Sequence, residues 1–225
     1  MRPTLILDLD GTLAETAPDL IGTLNVLLAR EGLAPLALEH ARELIGAGAR
    51  ALIERGLTAA GAVRTPEQVD GLYRDFLLHY GDNLAIDSHL FPGAQAALQR
   101  FAAAGWRLGV CTNKTERHSV ALLTALGVAD LFHAICGRDT FPVFKPNPDH
   151  LLGTVQRAGG DAGHAVMVGD SHTDIATARA AAIPVIGVPF GYTDVPIAAL
   201  SPDTVIDHFG ALWDAAHALL QREKV

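Results

Sequence analysis

Cysteine is nearly absent: the 225 residues hold two, Cys111 and Cys136, each inside an apolar run, LGVCTN and HAICGR. So few and so widely separated, they exclude a disulfide scaffold or a thiolate metal site, and two buried free thiols are expected. Basic clusters are missing too. The 17 Lys and Arg are scattered singly among 25 Asp and Glu, for a net charge of −8. Nucleic-acid binding needs a basic face, so no nucleic-acid partner is expected. An anionic substrate must be drawn in locally, against the mean field. No segment offers the ~18 uninterrupted apolar residues of a membrane span. The opening MRPTLILDLD lacks a secretory apolar stretch before charges intervene. No membrane association and a cytoplasmic location are expected. Internal repeats and low-complexity segments are absent as well.

What is present is globular: 49% hydrophobic and 19% charged residues, in a length that suits one large domain or two small ones. Short apolar runs rich in Val and Ile recur at 4–10, 106–113, 133–137, 165–170, 184–188 and 204–209. Near-continuous apolar strands of this kind belong to parallel sheets covered on both faces. Helical patterns at 93–104, 116–126, 149–158 and 174–182 alternate with the later strands, which predicts an α/β, doubly wound sheet. The stretch 17–87 differs. No strand interrupts it, Leu20, Ile21, Leu24, Leu27 and Leu28 keep helical spacing, and TPEQ at 65–68 predicts a helix start with Thr65 and Gln68 in a capping box. A crossover needs only one helix, so this is an inserted helical domain. Its joints fall near Glu15–Thr16 and in IDSHLFPG, 86–93. The expected division is 1–15 and 88–225 for the core and 16–87 for the insertion.

The residues that carry chemistry sit where strands end. Strand one ends DLDGT, strand two ends CTNK, and the fourth ends VGDSHTD. Ligands of open parallel sheets bind at the carboxyl ends of the strands, so Asp8, Asp10, Thr112, Asn113, Lys145, Asp170 and Asp174 are expected in one crevice. Residues two apart on a strand face the same side, which lets Asp8 and Asp10 share a pocket. Carboxylates that close repel one another unless a hard cation sits among them, and an oxygen-only donor set points to Mg²⁺. Thr112 and Asn113 offer donors to phosphate oxygens, and Lys145, stiffened by Pro146 and Pro148, offers a positive charge. Together these describe a phosphoryl-transfer site. One carboxylate would attack phosphorus, and the other would protonate the leaving alkoxide.

The ordered motifs DLDGTLAETAPDL, CTNKTE, KPNPDHLL and GDSHTDIATARAA resemble the four motifs of the haloacid dehalogenase-like phosphatase superfamily. LIGAGARALIERGL, FPGAQAALQRFAAAGW, GRDTFPVFKPNPD and PFGYTD are similar to its phosphoglycolate phosphatase branch. The resemblance implies a Rossmann-like core with a helical cap inserted after motif one. It makes Asp8 the nucleophile and a metal ligand, and Asp10 the general acid/base whose backbone carbonyl also meets the metal. Thr112 and Asn113 hold the phosphoryl group, Lys145 neutralises charge, Asp170 binds the metal, and Asp174 acts in its outer shell. Thr115 stands where relatives often carry Pro.

Plainer readings compete at several positions. Asp174 also suits a helix N-terminus, and His172 suits a pocket rim. In GAGAR, Gly46 and Gly48 would let the cap approach the site. Arg50 is a candidate for the substrate's far carboxylate, with Arg42 and Arg55 as competitors. The expectation is a Mg²⁺-dependent phosphatase of a small phosphorylated metabolite, first 2-phosphoglycolate, working as monomer or homodimer. Phosphosugar phosphatases and β-phosphoglucomutase-like phosphotransferases are the alternatives on the same core. A dehalogenase would not need Asp10 or the metal carboxylates, and a non-catalytic binding module would not need the whole set.

Overall fold

A computed structural model describes residues 2–192 and 195–222. The chain begins with β1 (Thr4–Leu7) and a short β2 (Ala14–Glu15). Four helices follow: α1 (Ala17–Arg30), α2 (Leu38–Ala41), α3 (Ala49–Ala59) and α4 (Pro66–Asp82). It returns through β3 (His89–Leu90), α5 (Ala94–Ala103), β4 (Arg107–Cys111), α6 (Glu116–Ala125) and β5 (Ala134–Cys136). It ends with α7 (Pro148–Arg157), β6 (Ala165–Gly169), α8 (His172–Ala180), β7 (Val185–Gly187), β8 (Thr204–Val205) and α9 (Leu212–Arg222).

Six strands form one parallel sheet in the order β5-β4-β1-β6-β7-β8. The apolar runs supply both faces by period-two alternation. Leu5 and Leu7 pack with Leu98, Phe101 and Leu212 of α5 and α9 on one side. Ile6 and Met167 pack with Leu151, Val155 and Ile175 of α7 and α8 on the other. Strand β1 lies inside the sheet, so its carboxyl end opens between those of β4 and β6.

The strands are shorter than the apolar runs. The first was expected over 4–10 but pairs only over Thr4–Leu7, with one more bond from Asp8 N to Val168 O (3.0 Å). Beyond it the chain turns: Gly11, at φ +82°, donates to Ala14 O, and Leu13 and Ala14 both donate to Leu9 O. Asp10 therefore stands in a turn and not on a strand face. At the far edge Thr204–Val205 of the expected 204–209 pairs with the sheet, with one more bond from Ile206 N to Gly187 O (3.1 Å). Helix α8 begins two residues before its expected start because Ser171 caps it, in a capping box with Asp174.

Helices α1, α3 and α4 bury their apolar faces against one another, with Leu24, Leu28, Leu52, Ile53 and Phe76 in a cluster of their own. The Thr65–Gln68 capping box forms as expected. Both chain crossings meet in a two-stranded antiparallel ribbon, Ala14 opposite Leu90 and Glu15 opposite His89. Cys111 and Cys136 are buried neighbours in register on β4 and β5 and are unbonded, and burial pushes the Cys111 thiol up to about 12. Among the described residues no helix is long and apolar enough to cross a membrane.

Candidate active site

The turn after β1, the loops after β4 and β6, and the loop entering α7 bring the expected side chains together. Asp8, Asp170 and Asp174, all buried, present carboxylate oxygens within 4.8 Å of one another. Lys145, 2% exposed, enters between them. Its Nζ donates to Asp174 Oδ1 (2.6 Å) and lies 2.9 Å from Asp8 Oδ1. That second contact is an ion pair only, and Asp8 Oδ1 accepts no aligned hydrogen bond. Burial works against the Lys145 ammonium, but Asp174 and Asp8 together hold its proton more tightly than usual.

The carboxylates are strained electrostatically. Burial, offset in part by Lys145, pushes Asp8 up to about 6. Burial, with Asp174 and Asp8 beside it, pushes Asp170 up to about 8. Three carboxylates against one ammonium leave a formal charge of −2. Asp8 still has an oxygen without an aligned donor, and every group is a hard oxygen. A divalent oxygen-seeking cation fits this set. Asp170 is held ready by Thr12 Oγ1 (2.7 Å) and by Tyr192 N (2.9 Å). Asp174 spends its second oxygen on Ser171 N (3.1 Å) and Ser171 Oγ (2.6 Å). It therefore caps α8 and holds Lys145 at once.

Asp10 belongs to a different contact set. Its Oδ1 accepts from Thr16 Oγ1 (2.7 Å), and Lys114 Nζ donates to Oδ1 (2.8 Å) and to Oδ2 (3.0 Å). The Asp10 side chain is thus outside the carboxylate cluster, although it faces the same cavity as Asp8. Thr112 Oγ1 accepts from Lys114 N (3.2 Å), which leaves its own O–H to give. Asn113 Nδ2 donates to Lys145 O (3.1 Å) and ties the two loops together. His150 completes the tie: its Nδ1 accepts from Lys145 N (3.2 Å) and its Nε2 faces Gly137 O (3.1 Å). Burial and the Lys145 charge push the ring down to about 4, so it stays neutral as the Nε2–H tautomer.

The cavity lies between the sheet end and the helical insertion. Asp8, Asp10, Thr112, Asn113 and Lys114 form its floor, and Ile45, Leu52 and Phe76 are among its apolar roof. Gly48 brings the two together: it sits at φ +89°, and a Cβ there would lie 3.0 Å from Asn113 O and from Arg138 Nη1. Only glycine permits that approach.

Arg50 corrects the sequence reading. It does not line this cavity: its guanidinium pairs with Asp70 and with Glu54 (3.2 Å), on the outer side of α3. Arg50 sits one turn before Glu54, and the α3–α4 packing adds Asp70, so both partners are inside the insertion. Arg42 is likewise taken by Glu15 (2.7 Å), and Arg55 reaches Leu44 O. The sequence reading gave no role to Lys114, Thr12, Thr16, Tyr192 or His150. Only Lys114 had a local signal, its place in CTNK. Thr12 and Tyr192 act through partners distant in the chain, and Thr16 and His150 through turns that bring Asp10 and Lys145 back to them.

The haloacid dehalogenase-like hydrolase family model matches residues 5–188, which is most of the chain. The protein belongs to that family. It is 46% identical over 215 residues to the phosphoglycolate phosphatase of Agrobacterium fabrum, covering 96% of this chain and 92% of that one. It is 48% identical over 211 residues to that of Mesorhizobium japonicum, covering 94% and 93%. Among solved structures it is similar to a predicted phosphoglycolate phosphatase from Haemophilus somnus, with a TM-score of 0.88 at 32% identity, covering 95% and 97%. The hydrolase's strand-end carboxylates thus sit in a fold shared over nearly its full length.

Proposed function

We propose that this hydrolase is a Mg²⁺-dependent phosphatase that cleaves 2-phosphoglycolate to glycolate and phosphate through a phosphorylated Asp8. One observation carries the chemistry: Lys145 bridges Asp8 and Asp174 inside a buried three-carboxylate cluster. The substrate comes from relatives at 46% and 48% identity that bear the name phosphoglycolate phosphatase.

In this reading Asp8 attacks phosphorus, and Thr112, Asn113 and Lys145 hold the phosphoryl oxygens. Asp10 gives a proton to the glycolate oxygen as the P–O bond breaks. It then takes a proton from the water that attacks the phosphoryl-Asp8, releasing phosphate and restoring the Asp8 carboxylate. Asp8, Asp170 and the Asp10 backbone carbonyl would hold Mg²⁺, with Asp174 behind them. When bound, the ion supplies positive charge to the phosphoryl oxygens and to the crowded carboxylates. Residues 16–87 act as a cap on the core of 1–15 and 88–225, closing over the cavity to exclude water and opening to release product.

Assay against a panel of phosphorylated metabolites tests the proposal. The expected result is highest kcat/KM for 2-phosphoglycolate, free phosphate as product, loss with EDTA and recovery with Mg²⁺. Higher kcat/KM for a hexose phosphate, an isomerised sugar phosphate as product, or chelator-resistant turnover would overturn it.

A further inference from the structure

With Arg50, Arg42 and Arg55 committed elsewhere, a buried cation faces the cavity from the opposite wall. Lys114 is 8% exposed, and its Nζ holds both oxygens of Asp10 while lying over the Tyr80 ring, 4.5 Å from its centroid. Tyr80 lines the same cavity, and its hydroxyl is buried and makes no aligned hydrogen bond among the described residues. A buried hydroxyl without a partner costs free energy, which a ligand acceptor would relieve.

Resting on the phosphatase reading above, we infer that Lys114 and the Tyr80 hydroxyl form the subsite for the substrate's carboxylate. Lys114 is a substrate-binding residue that trades Asp10 for that carboxylate. The geometry is short-range. Asp10 must meet the leaving oxygen at hydrogen-bond distance, and Lys114 Nζ is 2.8 Å from Asp10 Oδ1. In a phosphate ester of an α-hydroxy acid the carboxylate carbon lies two covalent bonds from the leaving oxygen, each about 1.5 Å. A ligand that reaches Asp10 therefore brings its carboxylate within reach of the same ammonium. The exchange also releases Asp10, whose two oxygens are both engaged by Lys114, to turn to the leaving oxygen.

Arg138 lines the cavity too, but its guanidinium stacks on Phe144 (4.5 Å) beside the Gly48 loop, away from Asp10's contact set. The subsite selects small phosphomonoesters with a carboxylate on the carbon that bears the phosphate. Ile45, Leu52 and Phe76 make the roof largely apolar, with the Tyr73 side chain beside them.

The test compares 2-phosphoglycolate with 2-hydroxyethyl phosphate, in which a neutral hydroxymethyl group replaces the carboxylate. Wild type should favour phosphoglycolate in kcat/KM by at least ~100-fold, because a site built for a charged group rejects the analogue without it. Lys114→Gln should reduce that ratio by at least ~30-fold, through a greater loss on phosphoglycolate. Tyr80→Phe removes a hydroxyl that makes no aligned hydrogen bond, so it should fold normally, and should reduce the ratio by roughly three- to tenfold. An equal loss on both substrates in Lys114→Gln, or an unchanged ratio in Tyr80→Phe, overturns the subsite while leaving the phosphatase proposal intact. A wild type without preference between the two substrates overturns the subsite and the substrate assignment together.

Discussion

Replacing Lys145 with Met removes the one ammonium from a cluster of three buried carboxylates. Its contacts to Asp174 (2.6 Å) and Asp8 (2.9 Å) are each attractive by about 6 kcal/mol at an effective dielectric near 20. Recovering the solvation of the ammonium offsets much of this, and breaking such a buried pair typically costs about 3–5 kcal/mol. For a chain of this length that is a fall in Tm of roughly 10 °C. The loss depends on pH in a definite direction. Asp8 and Asp170 are raised to about 6 and about 8 from 3.8, so without metal the folded chain holds protons that the unfolded chain has released. Raised carboxyl values favour folding at low pH, and that advantage is lost as pH rises through 6 and then 8. At pH 5 both groups are largely neutral, and removing Lys145 strands less charge. Calorimetry in EDTA should show the full decrease at pH 8 and a smaller one at pH 5, where the Asp174 contact remains. A fall under 2 °C at pH 8, or an equal fall at both pH values, refutes the electrostatic account of the cluster.

Other substitutions probe the remaining parts. Arg50→Ala should change kcat/KM on phosphoglycolate by less than about threefold, since Arg50 faces Asp70 and Glu54; a hundredfold loss would return it to the substrate site. Gly48→Ala, forced into φ +89° and against Asn113 O, should cost about 1–2 kcal/mol in stability and raise KM as the loop lifts; unchanged KM would show that this approach does not shape the cavity. Thr65→Ala should cost about 1 kcal/mol in urea denaturation without changing kcat, because it removes the α4 cap alone.

The sheet and the charged strand ends were legible because both follow local rules. Apolar runs such as AVMVG announce a strand covered on two faces, and carboxylates at their ends stand out against that background. Strand lengths were less so: whether Leu9 extends β1 or enters a turn depends on Gly11 and on the bonds to Ala14 and Leu13, which apolar character does not encode. Arg50 misled for a similar reason. GAGAR marks a loop over the site, but the direction of the arginine follows from Asp70, which reaches it only once α3 and α4 pack. Lys114 was inconspicuous because its partner Asp10 lies 104 residues away. Thr12 and Tyr192 likewise gain meaning only from the loops that the sheet brings together.

In the proposed reaction Asp8 carries the phosphoryl group. Asp8→Asn keeps the size of the side chain and, in the absence of metal, removes one buried carboxylate, so the fold should be retained. The decisive measurement is steady-state hydrolysis of 2-phosphoglycolate by this variant alongside its thermal melt. The expected result is a loss of at least ~10⁴-fold in kcat with an unchanged or higher Tm. Near-wild-type turnover from a folded Asp8→Asn protein would contradict it.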